Sequence, residues 1–421
     1  MSETAAVILA AGQGVRMKSR TAKVLHPLLG TPVLRYVLDA VAGAGIRDVT
    51  VVIGHQADDV RKSLAGRDLR FVVQTERRGT ADALRRCEET LSGFAGDLLV
   101  LCGDVPLLTT DTIRRFMEEH RQRQAAVSVL TACLDNPSGY GRIVRDAAGN
   151  FLRIVEEADT TPPERHIGEI NSGIYVFRSP GIFELLTLVT PDNRKGEYYL
   201  TDTVALARAA GRTVTAFRIE DPQEVFGINS RADLVAASTA LRWRILQHHL
   251  SEGVTVVDPS TTLIEGDVVI GADTTVEPFT VIRAGVRIGA GCHVGPFAHL
   301  GPGARLDDGA EIGNFVEVKR SHVGAKAKAK HLAYLGDAVV GPGANIGAGT
   351  ITANYDGRAK HPTRIGANAS TGANTVLVAP VELGAGAKTG AGAVVTRDVP
   401  PGAVVVGIPA RPFSGKPPRE A

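Results

Sequence analysis

Aromatic residues make up only 5% of this chain and tryptophan occurs once, so any large core must be built mainly from aliphatic side chains. Excess charge is equally scarce. Forty-seven Lys and Arg against 45 Asp and Glu leave a net charge of +2, which gives no reason to expect nucleic acid or an anionic membrane as partner. No apolar run reaches the roughly 18 residues of a membrane span. The four cysteines, Cys87, Cys102, Cys133 and Cys292, are scattered, with no C-x-x-C pair and no His at metal-ligand spacing beside them. That pattern fits a reducing compartment. Met-Ser-Glu leads straight into Ala-Val-Ile-Leu-Ala-Ala-Gly without the basic flank and cleavage site of a signal peptide. A cytoplasmic protein with no membrane insertion and no nucleic-acid partner is expected.

Glycine, by contrast, is abundant and uneven: of 47, 20 fall in residues 1–250 and 27 in residues 251–421. With 421 residues, too many for one ordinary domain, this shift predicts two differently built domains meeting near residue 250. In the first half, short apolar runs (Val7 to Leu9, Val49 to Ile53, Phe71 to Val73, Leu98 to Leu101, Val127 to Leu130) alternate with amphipathic stretches such as Val33 to Val41 and Arg77 to Leu91. That alternation predicts a mostly parallel sheet covered by helices, with ligands at the carboxyl ends of its strands.

Two strand ends carry chemistry. Leu9-Ala10-Ala11-Gly12-Gln13-Gly14-Val15-Arg16-Met17 empties into a glycine-bearing turn, which reads either as a tight strand-to-helix connection or as a phosphate cradle, with Arg16 and Lys23 adding charge. Val100-Leu101-Cys102-Gly103-Asp104 ends a buried strand in an aspartate, which reads either as a helix cap or as a hard-cation ligand.

Taken in order, Leu-Ala-Ala-Gly-x-Gly-x-Arg-Met, Lys23-Val24-Leu25-His26, Gln74 with Gly79-Thr80, and Gly103-Asp104 resemble the sugar-1-phosphate nucleotidylyltransferases. Gly139-Tyr140-Gly141-Arg142-Ile143, Val155-Glu156-Glu157, Glu169 to Ile174, Gly196 to Asp202 and Val225 to Asn229 narrow the resemblance to the bacterial N-acetylglucosamine-1-phosphate uridylyltransferases. The resemblance implies that Leu9, Ala10, Ala11, Gly12 and Gln74 surround the uracil and ribose of UTP, and that Lys23 and Arg16 face the triphosphate. It further implies that Gly79, Thr80, Gly103, Gly141, Glu156 and Asn171 hold the nucleotide and the N-acetylglucosamine 1-phosphate, while Asp104 and Asn229 ligate Mg2+. Physics agrees with such a site, since a phosphate oxygen attacking the α-phosphorus needs positioning and charge neutralisation, and no side-chain nucleophile. Three positions depart from the family pattern: Val15 for Thr, Ala22 for Pro and Ala158 for Lys.

After the capping pair Asn229-Ser230, Leu234, Ala237, Leu241, Ile245 and Leu246 share one helical face, predicting a helix that joins the two domains and ends at Ser251-Glu252-Gly253. Trp243 within it is expected to be packed. Positions 264, 270, 276, 282, 288, 294, 300, 306, 312 and 318 are then all Ile, Val or Leu, an unbroken step of six. No helix face or ordinary strand has that period; a hexapeptide solenoid does. The frame slips at Val323 and Val340 and is interrupted by an insertion over residues 353–364 before Ile365, Thr371, Leu377, Leu383, Thr389 and Val395 resume it.

This repeat resembles the left-handed β-helix of hexapeptide acyltransferases, which implies a homotrimer with active sites between coils. Gly313 to Lys319, His331 to Asp337, Asn345 to Thr350 and Asn354 to Gly357 resemble the glucosamine-1-phosphate acetyltransferase half of the same bifunctional enzyme family. By that resemblance His331 is the general base for the attacking amine and Glu317 orients it. Lys319, Tyr334 and Asn345 bind glucosamine 1-phosphate, and Ala348, Asn354, Tyr355 and Ala391 bind acetyl-CoA. Departures here are Gly301 and His299 in place of arginines, Ala373 in place of serine, and a short C-terminal basic segment, Gly407-Ile408-Pro409-Ala410-Arg411.

The expected architecture is an α/β Rossmann-like nucleotidylyltransferase domain (1–228), a linker helix (229–250) and an all-β left-handed parallel β-helix of hexapeptide repeats (251–421). The expected activity is acetylation of glucosamine 1-phosphate followed by coupling of the product to UTP. Two alternatives stand beside it: nucleotidyl transfer with the β-helix only as scaffold, and a non-catalytic regulatory subunit, against which Lys23, Asp104 and Asn229 together argue.

Overall fold

The computed structural model describes residues 3–412, and the chain divides into two compact units, residues 1–240 and 241–421. The first unit runs β1 (Glu3–Ala10), α1 (Val33–Gly43), β2 (Asp48–Ile53), α2 (Ala57–Ser63), β3 (Arg70–Val73), α3 (Thr80–Arg85), β4 (Gly96–Cys102), α4 (Thr110–Gln122), β5 (Val127–Cys133), β6 (Gly141–Arg145), β7 (Phe151–Val155), β8 (Glu169–Arg178), α5 (Gly181–Thr187), α6 (Asp202–Ala209) and β9 (Val214–Arg218). Its sheet has the order β9-β5-β8-β4-β1-β2-β3, with β6 on β8 and β7 on β6. Pairing is parallel from β4 through β1 and β2 to β3, and antiparallel around β8.

The apolar runs are continuous because both faces of the sheet are covered. Along β1, Ala6, Ile8 and Ala10 enter one core while Ala5 and Val7 enter the other. The stretch expected to be helical from Arg77 to Leu91 is α-helical only over Thr80–Arg85. Beyond it the chain tightens into three-residue turns, with Cys87 N–H donating to Leu84 O at 2.9 Å and Glu88 N–H to Arg85 O at 3.1 Å.

Helix α7 (Arg231–Ser251) opens on a reciprocal cap. Asp233 Oδ2 accepts from the Ser230 N–H at 2.8 Å, and Ser230 Oγ accepts from the Asp233 N–H at 3.2 Å. Ala237 and Leu246 are buried, but Trp243 is 51% exposed, contrary to the expectation that it is packed.

The second unit is a left-handed β-helix of three parallel sheets of two- to four-residue strands. One column of its interior is Ile264, Ile282, Leu300, Val318 and Leu335, each in register with the next and none exposed. Burying each such side chain contributes roughly 1.5–3 kcal/mol. A full turn is three hexapeptides, so rungs recur at 18 residues. The slips are two 17-residue turns, Leu306 to Val323 and Val323 to Val340. The insertion lengthens the next turn, so that Val340 pairs with Ile365. Glycine follows the rung because adjacent coils touch there: a Cβ on Gly271 would lie 2.6 Å from Ala290 N. At one corner Phe279, Phe297 and Phe315 stack in successive coils, centroids 4.8 and 5.1 Å apart, and all three are exposed.

Candidate active sites

In the first unit β1 and β4 are parallel neighbours, with Leu9 opposite Cys102, so their carboxyl ends open side by side. The turn after β1 and Asp104 after β4 therefore face one cavity of about 260 Å3. Leu9, Ala10, Ala11, Gly12, Lys23, Gln74, Gly79, Thr80 and Asp104 all line it. At its wall the Lys23 ammonium forms an ion pair with Asp104 and lies 3.2 Å from Asn229 Oδ1. Asn229 is delivered from far along the chain because the Ile228 N–H donates to Asp104 O at 2.9 Å. Two oxygen-bearing side chains thus converge on a single cation position, which the lysine fills.

That geometry fits a divalent cation that keeps waters and phosphate oxygens as its other ligands, the habit of a small hard ion. Among the described residues no cluster of three or more His, Cys, Asp or Glu is placed to hold a metal by itself.

Gly103, with its N–H donating to Leu9 O at 2.9 Å, ties the two strand ends together. Gly141 on β6 is paired with Asn171 on β8. Asn171 is committed at both ends of its carboxamide, donating to Tyr175 Oη at 2.8 Å and accepting from the Gly173 N–H at 3.0 Å. Glu156 accepts from Thr201 Oγ1 at 3.2 Å, and burial raises its pKa above the ordinary carboxylate value. None of Gly141, Glu156 and Asn171 lines the 260 Å3 cavity. Arg16 stands exposed on the turn Val15–Met17 and does not line it either.

Arg77, Cys102 and Glu197 line the cavity without having been singled out for a role. Arg77 lies three residues after Gln74, and Glu197 within the quoted Gly196 to Asp202 segment, so both were within reach of the sequence. The Cys102 thiol is pushed up to about 12 by burial, with the Asp104 charge adding to the effect, and so stays neutral. Gly79 is needed where it stands: its φ is +115° and a Cβ would lie 2.7 Å from Tyr198 N. The Tyr198 segment is docked there by Ala81 N–H to Tyr198 O at 3.0 Å and Leu200 N–H to Thr80 Oγ1 at 3.0 Å. If this cavity takes UTP, as the resemblance implies, Gly79→Ala is expected to push its wall outward and lower kcat/KM for UTP at least tenfold, read by pyrophosphate release.

In the second unit, register brings one line of residues up a corner. Asn314 is opposite His331, the Gly349 N–H donates to His331 O, the Asn374 N–H to Ala348 O and the Gly392 N–H to Ala373 O. His331, Ala348, Ala373 and Ala391 thus follow one another coil by coil, about 4.8 Å apart. His331 also closes a groove of about 700 Å3 shared with Asn314, Glu277, His293, Glu311 and Lys330.

Glu317, expected to orient His331, is not brought to it. Its carboxylate lies 3.7 Å from His299 Nδ1, and no hydrogen bond or ion pair joins it to His331 among the described residues. The reason is the corner: His331 ends one face (Lys328–His331) while Glu317 begins a strand of the next (Glu317–Lys319). Tyr334 is on that second face, opposite Glu317, and Lys319 is opposite Gly336. A Cβ on Gly336 would lie 2.7 Å from Asn354 Nδ2, so Tyr334 and Asn354 close over the glycine. Asp337 holds this group, accepting from Arg320 at 2.6 and 2.8 Å and from Asn354 Nδ2. Arg320 and Asp337 had no role assigned, although Lys319-Arg320 and Gly336-Asp337 mark them. Asn345 lies on the His331 face, one coil beyond Lys328. Tyr355 is exposed on the insertion. At Gly301 the outward column has no side chain, and Arg283 and Lys319 occupy the coils on either side.

A parallel-sheet cavity with a cation clamp, followed by a hexapeptide coil with a histidine on its face, defines a nucleotidyltransferase joined to a hexapeptide-repeat transferase. The MobA-like NTP transferase domain model matches residues 6–154, and the bacterial transferase hexapeptide (six repeats) model matches residues 267–301, 285–320 and 362–397. The chain is 47% identical to the "Bifunctional protein GlmU" of Pelotomaculum thermopropionicum over 90% of each chain. It is 43% identical to that of Geotalea daltonii over 96% of each, and 41% identical to that of Brevibacillus brevis over 96% of this chain and 95% of the relative. The chain belongs to the GlmU family of bifunctional proteins. It is a UDP-N-acetylglucosamine pyrophosphorylase and a glucosamine-1-phosphate acetyltransferase, acting on sugar phosphates, UTP and acetyl-CoA in divalent-metal-dependent nucleotide-sugar synthesis. No helix of the described residues is long and apolar enough to cross a membrane.

Proposed function

We propose that residues 1–228 carry uridylyl transfer, residues 251–421 carry acetyl transfer and residues 229–250 connect them. The observation that carries the first assignment is the Lys23 ammonium held between Asp104 and Asn229 on the wall of the cavity that Leu9 to Gly12, Gln74, Gly79 and Thr80 line. Asp104 and Asn229 would hold Mg2+, which would supply charge neutralisation for the triphosphate. Lys23, released from Asp104, turns to the phosphates with Arg16, and the Gly12 turn admits the nucleotide backbone. A phosphate oxygen of N-acetylglucosamine 1-phosphate attacks the α-phosphorus, and the bond to pyrophosphate breaks. Gly103, Gly141, Glu156 and Asn171 hold the sugar nucleotide.

In the acetyl transfer, His331 takes a proton from the glucosamine 1-phosphate amine as it attacks the thioester carbonyl, and the C–S bond to coenzyme A breaks. The corner line of Ala348, Ala373 and Ala391 beyond His331 offers a track of small side chains for the extended arm of the coenzyme, with Asn354 and Tyr355 at its side. Lys319, Tyr334 and Asn345 receive the sugar phosphate. Glu317 acts in this site through His299 rather than by touching His331. His331 stands exposed on an open face, and an exposed aromatic ladder runs along one corner; both support a homotrimer in which neighbouring copies wall the site. The four free cysteines suit the cytoplasm.

Glucosamine 1-phosphate, acetyl-CoA, UTP and Mg2+ supplied together are expected to yield UDP-N-acetylglucosamine, coenzyme A and pyrophosphate, with a mass three times that of the chain by light scattering. Chelation with EDTA is expected to stop pyrophosphate release while coenzyme A release continues. Loss of both products would overturn the separation of the two sites.

A further inference from the structure

Gln74 lines the nucleotide cavity, yet the polar groups that meet its carboxamide from the protein side are both acceptors. Its Nε2 donates to Asp82 Oδ2 at 2.9 Å and to the Gly79 carbonyl at 3.1 Å. A side-chain amide has two N–H donors and one carbonyl acceptor. With both hydrogens drawn to Asp82 and Gly79, the atom left for a ligand is Oε1. Reversing the amide would set Oε1 against a carboxylate and a carbonyl, acceptor facing acceptor, in a place where Gln74 is 5% and Asp82 3% exposed and water is not there to screen the contact.

Asp82 is itself held. Arg86 Nε donates to Oδ2 at 3.2 Å and Arg85 to Oδ1 at 3.4 Å. Burial alone would raise its pKa, but the hydrogen bonds from Gln74 and Arg86 and the two guanidinium charges outweigh that and hold it below the ordinary value. It therefore remains a carboxylate, an acceptor only.

We propose that Asp82 is a positioning residue that fixes the Gln74 carboxamide with its oxygen toward the nucleotide, so that the pocket selects a base with a ring N–H donor. Uracil presents N3–H to that oxygen. Cytosine presents the N3 lone pair, acceptor against acceptor, and is refused. The inference rests on the reading of this cavity as the UTP site and adds the group that sets its base preference.

The test compares kcat/KM for UTP and CTP, with N-acetylglucosamine 1-phosphate and Mg2+, in the parent and in Asp82→Asn. The carboxamide that this substitution introduces is able to donate as well as accept, which frees Gln74 to turn over. The UTP-to-CTP ratio is expected to fall about tenfold or more, through loss with UTP and gain with CTP. A ratio equal to the parent's, with both substrates slowed alike, would show a merely structural aspartate and overturn the proposal. The UTP analogue 3-deaza-UTP, which has C–H in place of N3–H, gives a second reading on the parent itself. It is expected to be used at least tenfold less well than UTP, and equal use overturns the proposal whether or not Asp82→Asn folds. If the parent turns over neither nucleotide, it is the UTP-site reading that fails instead.

Discussion

Replacing His331 with alanine is expected to lower acetyl transfer to glucosamine 1-phosphate by about 10²- to 10⁴-fold, the span associated with loss of a positioned general base. Uridylyl transfer in the same preparation is expected to stay at the parental rate, because His331 belongs to the second compact unit and the nucleotide cavity is lined entirely from the first. The substitution removes no core packing, since His331 is exposed at the end of its strand. A loss of activity with an unchanged melting temperature therefore reads chemistry and not unfolding. Coenzyme A release followed with a thiol reagent is the measurement. If His331→Ala matches the parent, the coil is only a scaffold for the nucleotidyl transfer. Comparison with Glu317→Gln separates the two roles: a carboxylate facing His299 from the next coil is expected to matter far less than the imidazole.

The period of six was readable from sequence because every sixth residue of a flat-sided coil points inward, and inward means Ile, Val or Leu. Even the two frame slips and the insertion map onto 17-residue turns and one lengthened turn. The strands of the first unit were readable where both faces are buried. The antiparallel insertion of β6 and β7 against β8 was not, because short strands such as Gly141–Arg145, where a buried Arg142 interrupts the apolar residues, carry no continuous apolar run. Site residues followed the same division. Strand-end motifs such as Gly103-Asp104 and Leu9 to Gly12 lie where topology puts ligands, so position along the chain was enough. For Glu317 the resemblance names a role but not which side of the corner the side chain faces, and the folded chain sets it against His299. Asp82 and Arg320 were silent because their significance is a partner, Gln74 in one case and Asp337 in the other, that only the folded chain supplies.

Asp104→Ala is expected to remove nearly all uridylyl transfer while leaving acetyl transfer intact. The carboxylate is the only fully charged oxygen ligand in the clamp, Asn229 contributing a neutral carbonyl and Lys23 the competing cation. Its loss forfeits several kcal/mol of charge stabilisation in a reaction between polyanions, about 10³-fold or more in rate. Asp104→Asn keeps an oxygen at the same place and loses the charge, so an intermediate activity that rises with Mg2+ concentration is expected, whereas Ala should show no such rescue. Lys23→Ala makes the complementary test. It frees Asp104 and Asn229 from the ammonium, so Mg2+ is expected to bind the nucleotide-free protein more tightly, seen by calorimetry, while kcat falls for want of a cation on the phosphates. If instead Lys23→Ala weakened Mg2+ binding, lysine and metal would not share one position, and the clamp described by these three residues would be a structural ion pair with no part in holding the ion.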